Sequence, residues 1–260
     1  MHIIESKNNN RIKEIKKLKE RKWRKKEGKF LVEGYRFVQE ACSSDFRVET
    51  IIINADNKDK YDEFKIKNNF SVEDEIYVSQ GVYKEVAQTQ NSQGIIAVVK
   101  NKSIQYDIED GVYVLLDRLQ DPGNVGTVIR TSHAAGVKGI VLTKGCVDIY
   151  NDKVLRSTMG SIFRVPIIDD SDLEFTKRLK ESGYKFVVSS LEESEDFYDC
   201  YLKGNTVIAV GNEGSGLSQE IYNLQDVRVK IPMPGGAESL NAGVAASIMI
   251  YEYVRQQNNN

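Results

Sequence analysis

Short apolar runs and amphipathic stretches alternate over the first hundred residues. The apolar runs predict strands at Phe30–Val32, Glu49–Ile53, Glu75–Ser79 and Gly94–Val99. Stretches with a helical period predict helices at Tyr35–Cys42, Lys58–Lys67 and Val82–Ala87. Together these elements predict a small α/β domain over residues 1–100. Residues 101–111 are polar and lack periodicity, so we expect a linker there.

Longer and more regular apolar runs occupy the rest of the chain. Six of them predict strands at Val112–Leu116, Gly139–Leu142, Val165–Ile168, Phe186–Val188, Val207–Val210 and Val227–Ile231. Helical segments separate these runs, and the last segment, Leu240–Gln256, has one apolar face. Continuous apolar strands that alternate with helices are typical of a parallel sheet covered by helices on both faces. We therefore predict a second α/β domain over residues 112–260.

Charge is distributed unevenly along the chain. The net charge is −2, which by itself argues against a nucleic-acid-binding protein. Residues 1–40, however, contain 13 Lys and Arg against 6 Asp and Glu, whereas the remaining residues contain 23 against 32. This excess of positive charge at one end indicates that the N-terminal part meets a polyanion.

A basic helix is predicted at Arg11–Glu27, where Ile12, Ile15 and Leu18 form a short apolar stripe among Lys and Arg residues. Trp23 interrupts the basic run. One interpretation is a solvated helix that packs its apolar edge on its own domain. The other is a helix that contacts phosphates while Trp23 stacks on unpaired bases. The pattern alone leaves both interpretations open.

Composition excludes several classes of protein. No apolar run approaches the roughly 18 residues that a membrane-spanning helix needs, and the first residues lack the apolar core of a signal peptide. We therefore expect a cytoplasmic protein. The three cysteines are odd in number, far apart and without CxxC spacing, which argues against a disulfide framework and a zinc site. With only two histidines, we expect no metal.

Three loops that follow predicted strands are rich in glycine and small polar residues. They span residues 117–131, 210–218 and 231–246. In a parallel sheet, ligands bind at the carboxyl ends of the strands. The three loops are therefore the candidate ligand site.

Each loop carries its own polar residues. In the first, Asn124 is well placed to cap the following helix, and Arg130 lies nearly two turns later. Glycines at 211, 214 and 216 let backbone amides of the second loop approach a ligand, although it is neither a Walker loop nor a G-x-G-x-x-G motif. In the third, Ser239 is a natural N-cap and Asn241 projects from the first helical turn. Singly, each polar residue is explained as a helix cap or a surface residue.

Together and in this order, the loops resemble the motifs of the SpoU/TrmH family of RNA ribose methyltransferases. The first has an Asn…Arg pair, the second Gly-Asn-Glu-Gly and the third Ser-Leu-Asn before a helix of small residues. The resemblance spans residues 117–246. The first 100 residues resemble the RNA-binding extension common in this family, which is similar to ribosomal proteins that bind kinked RNA. Its cues are Glu33-Gly34 after one strand and Gln93-Gly94 before another.

The resemblance implies a fold, a cofactor and a reaction. Members of the family have an α/β domain with a trefoil knot, a rare exception to the usual rules of chain topology, and act as homodimers. They bind S-adenosylmethionine in a bent form and transfer its methyl group to a ribose 2′-hydroxyl of RNA, with no metal. By motif position, the implied cofactor-binding residues are Gly211, Asn212, Gly216, Ile231 and Leu240, with Ser189 and Ser190 on the adenosine side.

The implied catalytic residues are Arg130, Asn124, Glu213, Ser239 and Asn241. Family motifs give Arg130 the position of the base that deprotonates the 2′-hydroxyl. A guanidinium normally stays protonated, but a ribose hydroxyl is a similarly weak acid. The alternative is that Arg130 stays cationic and stabilises the developing oxyanion. RNA contacts are expected from seven residues: Arg11, Lys22, Trp23, Arg24, Arg36, Arg118 and Arg156.

Alternative functions differ in substrate or in class. The N-terminal extension favours ribosomal RNA over transfer RNA as the substrate. A non-catalytic RNA-binding protein of the same fold is the alternative to an enzyme, and the presence of all five implied catalytic residues favours the enzyme. A nucleotide-dependent oxidoreductase is disfavoured because the G-x-G-x-x-G motif is missing.

Overall fold

The computed structural model describes residues 2–102, 106–190 and 194–258. Its helices are α1 (Asn10–Lys17), α2 (Arg21–Glu27), α3 (Tyr35–Cys42), α4 (Lys58–Asn68), α5 (Gln80–Val86), α6 (Pro122–Ala135), α7 (Asp152–Thr158), α8 (Glu174–Glu181), α9 (Gln219–Tyr222) and α10 (Ala242–Asn258). Its strands are β1 (Ile3–Ile4), β2 (Lys29–Glu33), β3 (Val48–Asn54), β4 (Glu75–Val78), β5 (Ile95–Lys100), β6 (Val112–Asp117), β7 (Gly139–Leu142), β8 (Ile167–Asp169), β9 (Lys185–Ser189), β10 (Glu195–Asp196), β11 (Thr206–Gly211) and β12 (Val227–Lys230). None of the helices in these described ranges combines the length and hydropathy that crossing a bilayer requires.

The chain forms two compact units. The N-terminal unit comprises Met1–Ile104 together with Tyr150–Leu155, and the C-terminal unit comprises Gln105–Ile149 together with Arg156–Asn260. The segment Tyr150–Leu155 therefore groups with the N-terminal unit, although it lies within the range that the sequence assigns to the second domain.

The N-terminal unit is built on a five-stranded mixed sheet in the order β1-β4-β3-β5-β2. Strands β1, β4 and β3 are parallel, whereas β5 runs antiparallel to β3 and β2. Ile12 and Ile15 of α1 and Val82 and Val86 of α5 are buried in one cluster with residues of this sheet. Helices and strands thus share one apolar core, as the predicted α/β domain requires.

The C-terminal unit is built on a seven-stranded sheet in the order β10-β12-β9-β11-β6-β7-β8. Every neighbouring pair is parallel. One core cluster joins Leu115 and Ala209 of the sheet to Phe175 and Leu179 of α8. The predicted α/β fold with a parallel sheet is confirmed.

Most predicted elements are confirmed to within one or two residues. Helix α3 and strand β7 have the predicted bounds, while α10 begins two residues later than predicted. The sequence does not predict β1 or β10, because two residues carry no measurable period.

The prediction of a single basic helix at Arg11–Glu27 is wrong. A turn after α1 separates it from α2, and the buried Leu18 is the C-cap of α1. The Arg24 guanidinium donates to the main-chain carbonyl oxygens of Leu18 (2.9 Å) and Lys19 (2.6 Å). A helix end leaves such carbonyls without helical partners. Arg24 therefore stabilises the turn that interrupts the predicted helix.

The predicted linker is only partly described, because residues 103–105 lie outside the described residues. Tyr106 and Ile108 pack against the core of the C-terminal unit, and the Tyr106 hydroxyl donates to the Ile167 carbonyl (3.1 Å). The described C-terminal half of this segment is therefore anchored to the second unit.

Candidate active site

The three glycine-rich loops start at the same edge of the C-terminal sheet. Asp117 ends β6 and is paired in register with Gly211, which ends β11. The third loop follows β12, which runs parallel to its neighbour β9 and so in the same direction as β6 and β11. Because parallel strands have their carboxyl ends at one edge, the loops share the position where α/β proteins bind ligands.

A cavity of about 700 Å³ lies at this edge, within the size range of small-molecule sites. Its lining includes all seven residues predicted to bind the cofactor, Gly211, Asn212, Gly216, Ile231, Leu240, Ser189 and Ser190. Three of the five predicted catalytic residues also line it, namely Glu213, Ser239 and Asn241. The loops are thus brought together around one cavity.

Gly211 is required by the packing of its own loop. The main chain of Asn212 exchanges two hydrogen bonds with Gly216 (3.0 and 2.9 Å), which folds the second loop back on itself. A β-carbon at Gly211 would lie 2.3 Å from the carbonyl carbon of Gly216 and 2.4 Å from the nitrogen of Leu217. The sequence analysis explains Gly211 by the close approach of a ligand. In the structure, the atoms that approach Gly211 closely belong to the backbone of the same loop.

Asp117 fixes the far end of the second loop to β6. Its carboxylate is buried and accepts hydrogen bonds from the Thr143 hydroxyl (2.7 Å) and the main-chain nitrogen of Ser218 (2.5 Å). Cys146 lies nearby and donates from its thiol to the Leu116 carbonyl (3.2 Å). Burial raises the pKa of this thiol, so Cys146 is a neutral packing residue.

Arg118 holds the near end of the same loop. Its guanidinium donates to the Gly216 carbonyl (3.2 Å), and its own carbonyl accepts from the Asn212 side-chain amide (3.0 Å). Its φ of 57° is a left-handed conformation that non-glycine residues seldom adopt. Arg118 therefore has a partner within the loop that the sequence does not predict, and its contact with RNA stays a prediction.

Replacing Arg118 by alanine is expected to weaken binding of the ligand that fills the cavity by about 3- to 10-fold, the value of one hydrogen bond on a half-exposed side chain. The melting temperature should change little. Calorimetric titration measures the ligand affinity of Arg118→Ala and of a control variant, Arg178→Ala, which alters an exposed arginine of α8. Equal affinities for the two variants would show that the Arg118 hydrogen bond does not hold the loop.

Asn124 joins the first loop to the second. The prediction that Asn124 caps the following helix is wrong, because Asp121 is the N-cap of α6 and its side chain accepts from the main-chain nitrogen of Asn124 (2.8 Å). Asn124 lies inside α6, so its side chain is available for another partner. It donates to the Glu213 carboxylate (2.7 Å).

Asn241 caps the helix that follows the third loop. Its side-chain oxygen accepts from the main-chain nitrogens of Gly243 (3.0 Å) and Val244 (3.2 Å). The predicted N-cap Ser239 is therefore wrong, because α10 begins at Ala242, immediately after Asn241. Ser239 instead lies exposed in the cavity lining, where its hydroxyl has no capping role.

Helix α10 packs closely on α6 at the start of both helices. A β-carbon at Gly243 would lie 3.1 Å from Cα of Asn124 and 3.2 Å from its carbonyl oxygen. One turn further along α10, the hydroxyls of Thr131 and Ser247 are hydrogen-bonded at 2.9 Å. The third loop and Asn124 are therefore held at a fixed separation by helix packing.

Comparison with known proteins matches this arrangement along nearly the whole chain. The sequence model described as the SpoU rRNA Methylase family matches residues 111–251, and that of the MRM3-like substrate binding domain matches residues 9–97. The chain belongs to the SpoU rRNA methylase family. A relative from Bacillus subtilis (strain 168), 23S rRNA (guanosine(2553)-2'-O)-methyltransferase RlmP, is 34% identical over 252 residues, which are 96% of this chain and 98% of the relative.

Solved structures of SpoU methyltransferases share the fold over the full length. That of AviRb from Streptomyces viridochromogenes, in complex with the cofactor AdoMet, has a TM-score of 0.86 at 28% identity and covers 97% of this chain and 100% of its own. That of the AdoMet-bound rRNA methyltransferase from Sinorhizobium meliloti has a TM-score of 0.84 at 28% identity and covers 100% and 99%.

Arg130 is a catalytic residue predicted from the SpoU motifs. It does not lie at the cavity of this chain. It is exposed on α6 and absent from the cavity lining. Within the described ranges its side chain makes no hydrogen bond or ion pair, so its guanidinium is available to a group from outside the chain. Its catalytic role stays a prediction.

Four of the residues predicted to contact RNA are accessible at the surface of this SpoU chain. Lys22, Arg36 and Arg156 are exposed on α2, α3 and α7, and Trp23 is half-buried. Each of these four residues is accessible at the surface of its own unit. Their contact with RNA stays a prediction.

Two other predicted RNA contacts have partners within the N-terminal unit. The prediction for Arg24 is wrong, because this residue is only 6% exposed and its guanidinium is occupied by the turn after α1. Arg11 is exposed but forms an ion pair with Asp74. Its positive charge is therefore locally neutralised.

Sequence reasoning missed the residues that support the SpoU loops. Asp117 and Thr143 are separated by 26 residues, and Tyr222 and Met249 line the cavity from α9 and α10. One signal was present, because Asp117 directly follows a continuous apolar run at the carboxyl end of a strand. Among the described residues there is no cluster of His, Cys, Asp and Glu side chains that could hold a metal ion.

Proposed function

We propose that the protein transfers a methyl group from S-adenosylmethionine to a ribose 2′-hydroxyl of ribosomal RNA. One observation carries the proposal: Glu213, Ser239 and Asn241 lie on the wall of the cavity that the predicted cofactor loops enclose. RNA as the substrate class is supported by the match to a substrate-binding domain. Ribosomal RNA is supported by the name of the Bacillus relative.

The cavity fits S-adenosylmethionine in size and chemistry. Its volume of about 700 Å³ suits a ligand of this size. Ile231, Leu240 and Met249 offer apolar surface for an adenine ring, and Ser189 and Ser190 also line the cavity. Two related solved structures hold AdoMet, which supports the same cofactor here.

The proposed mechanism assigns positioning and proton transfer to the protein. Bound S-adenosylmethionine supplies an electrophilic methyl group. Glu213, held by the Asn124 amide at 2.7 Å, presents an acceptor beside the cavity, while Ser239 and Asn241 offer polar groups that orient a ribose. Arg130 deprotonates the 2′-hydroxyl or stabilises the oxyanion that develops on it.

Two measurements test the proposed function. Calorimetric titration should show binding of S-adenosylmethionine and none of NAD, because the chain lacks a dinucleotide-binding motif. Mapping of ribose methylations in total RNA with and without the gene should then show one ribosomal position that depends on it. A dependent position in transfer RNA would support the alternative substrate. Cofactor binding without any dependent position would support a non-catalytic RNA-binding protein.

We further propose that the two domains have separate functions and that the second one is knotted. Residues 1–100 bind RNA and residues 112–260 carry the methyl transfer, in line with the two matched sequence families. Membership of the SpoU family supports a trefoil knot in the second unit.

We also propose that the protein is a homodimer. Val244 and Tyr251 of α10 are 45% and 50% exposed, and residues seven apart lie on the same face of a helix. Exposed apolar side chains aligned on one helix are typical of an interface. Arg130 is exposed on α6, the helix that packs on α10.

A charge at Tyr251 is expected to dissociate the dimer. Tyr251→Asp should weaken self-association by about 30-fold or more, because truncating an apolar interface anchor costs ~2 kcal/mol or more. Sedimentation velocity over a range of concentrations measures the shift. The matched control is Ile66→Asp, which alters a residue that is 81% exposed on α4. If both variants stay dimeric, the interface lies elsewhere.

A further inference from the structure

Basic side chains of the N-terminal unit fall into two groups. Many are paired with carboxylates, as in Lys7–Glu85, Lys16–Glu85, Arg11–Asp74, Lys29–Glu49, Arg47–Glu73, Lys58–Asp62 and Lys65–Glu75. Helix α2 is different. Arg21, Lys22, Lys25 and Lys26 are exposed and, among the described residues, make no ion pair or hydrogen bond through their side chains. Four basic side chains without an ion pair therefore lie together on one seven-residue helix, whereas the others in the described part of this unit, such as Lys13 and Arg36, are spread over separate elements.

Lysines of α1 and α2 surround the indole of Trp23. The ammonium groups of Lys17, Lys22 and Lys26 lie 4.6, 5.7 and 4.9 Å from the centre of its indole ring. Attraction between cations and the ring offsets part of their mutual repulsion. Of these three lysines, only Lys17 has a carboxylate partner in the part of the chain that the structure describes, Glu14. A bound polyanion would neutralise the remaining repulsion between the ammonium groups. This surface therefore favours a negatively charged ligand.

The helix geometry separates a structural side from a free side. At about 100° per residue, the four unpaired basic residues cover an arc of about 140°. Trp23 lies about 60° beyond one edge of this arc, and Arg24 lies about 60° beyond the other. Arg24 is buried, whereas Trp23 is only half-buried. The basic arc and the accessible part of the indole therefore form one surface, and the buried side of α2 at Arg24 lies outside it.

We propose that the unpaired basic residues of α2, together with Lys17 and Trp23, form a binding site for single-stranded RNA. An unpaired base displaces ammonium groups from the face of the Trp23 indole and stacks on it, and the displaced Lys22 and Lys26 pair with the flanking phosphates. Double-stranded RNA is a poorer ligand because its bases already stack on one another. This inference rests on the proposed function, which makes RNA the substrate.

The fluorescence of Trp23 tests the stacking directly, because it is the single tryptophan of the chain. The full-length protein is titrated with a single-stranded oligoribonucleotide, with the same sequence as a duplex, and with inorganic polyphosphate. The single strand should quench the emission most strongly. Equal quenching by polyphosphate would overturn stacking in favour of charge alone. Binding of the single strand without any change in emission would overturn the site itself.

Charge variants test the lysines against a matched control. The double variant Lys22→Gln, Lys26→Gln should flatten the dependence of RNA affinity on salt by about 0.7 in logarithmic slope for each phosphate that the lysines no longer neutralise. The control Lys58→Gln, Lys65→Gln removes the same charge from lysines that are paired with Asp62 and Glu75. Equal slopes for the two double variants would overturn the assignment to α2.

Two substitutions of Trp23 separate stacking from packing. Trp23→Ala should weaken single-strand binding by about 5- to 150-fold, as expected when one base no longer stacks on an aromatic ring, and Trp23→Phe should restore most of it. Fluorescence anisotropy of a labelled oligonucleotide measures both, and melting curves verify folding. Unchanged binding by Trp23→Ala, with methyl transfer intact, would refute this site and leave the proposed function standing. A full-length protein that binds no RNA would refute both.

Discussion

Replacing Arg130 by alanine is expected to lower the single-turnover rate of methyl transfer by about 100-fold or more, as for removal of a general base or an oxyanion stabiliser. The guanidinium is exposed on α6 and has no partner among the described residues, so its substitution removes no interaction that stabilises the fold. Because Arg130 does not line the cavity, binding of S-adenosylmethionine should change little. Rates with saturating RNA and cofactor, together with calorimetry, separate the two effects.

Arg130→Lys distinguishes the two chemical roles. A lysine keeps the positive charge but loses a proton more easily than an arginine. Partial rescue that rises with pH would indicate a base, and rescue that does not depend on pH would indicate electrostatic stabilisation. If Arg130→Ala turned over at the wild-type rate, the mechanism would be wrong, and Glu213 would be the next residue to test.

Replacing Gly211 by alanine is expected to reduce the affinity for S-adenosylmethionine by about 5- to 150-fold and to lower the melting temperature, because overpacking against fixed backbone costs ~1–3 kcal/mol. The added carbon would lie 2.3 Å from Gly216, so the second loop must move. Calorimetry and thermal melting measure the two consequences.

Gly214 provides the matched control within the same loop. A β-carbon there would meet only the side-chain oxygen of Asn212, at 3.7 Å, which is ordinary contact. Gly214→Ala should therefore keep the melting temperature of the unsubstituted protein. If Gly211→Ala bound the cofactor as tightly as Gly214→Ala, the close approach at Gly211 would not control the cavity.

The sequence predicts the parallel sheet well because its strands β6, β7 and β11 are buried along their whole length and stand out as continuous apolar runs. It fails at α1 and α2, where Lys and Arg recur on both sides of the break between the helices. The helix break there depends on Arg24, whose bonds to the Leu18 and Lys19 carbonyls are a tertiary effect that no local period records. The two-residue strands β1 and β10 are missed because they carry no pattern of their own.

Motif reasoning selects the residues of the cavity lining but assigns some of them the wrong contacts. Asn124 and Ser239 were predicted as helix caps, whereas Asp121 and Asn241 perform that role. Each true cap lies within three residues of the predicted one, and local sequence does not fix which polar residue precedes the first turn. Asp117 was missed because its partner Ser218 is 101 residues away.

The position of β6 beside β11 has a consequence for how the second unit folds during synthesis. Val112 pairs with Thr206, about 94 residues later, whereas the other neighbour of β6, β7, follows soon after it. At about 5–20 residues per second, a growing chain leaves this edge of β6 unpaired for about 5–20 s. An unpaired apolar strand edge promotes aggregation, and pairing across so long a loop is intrinsically slow. We therefore expect the nascent chain to depend on chaperones until β11 emerges from the ribosome.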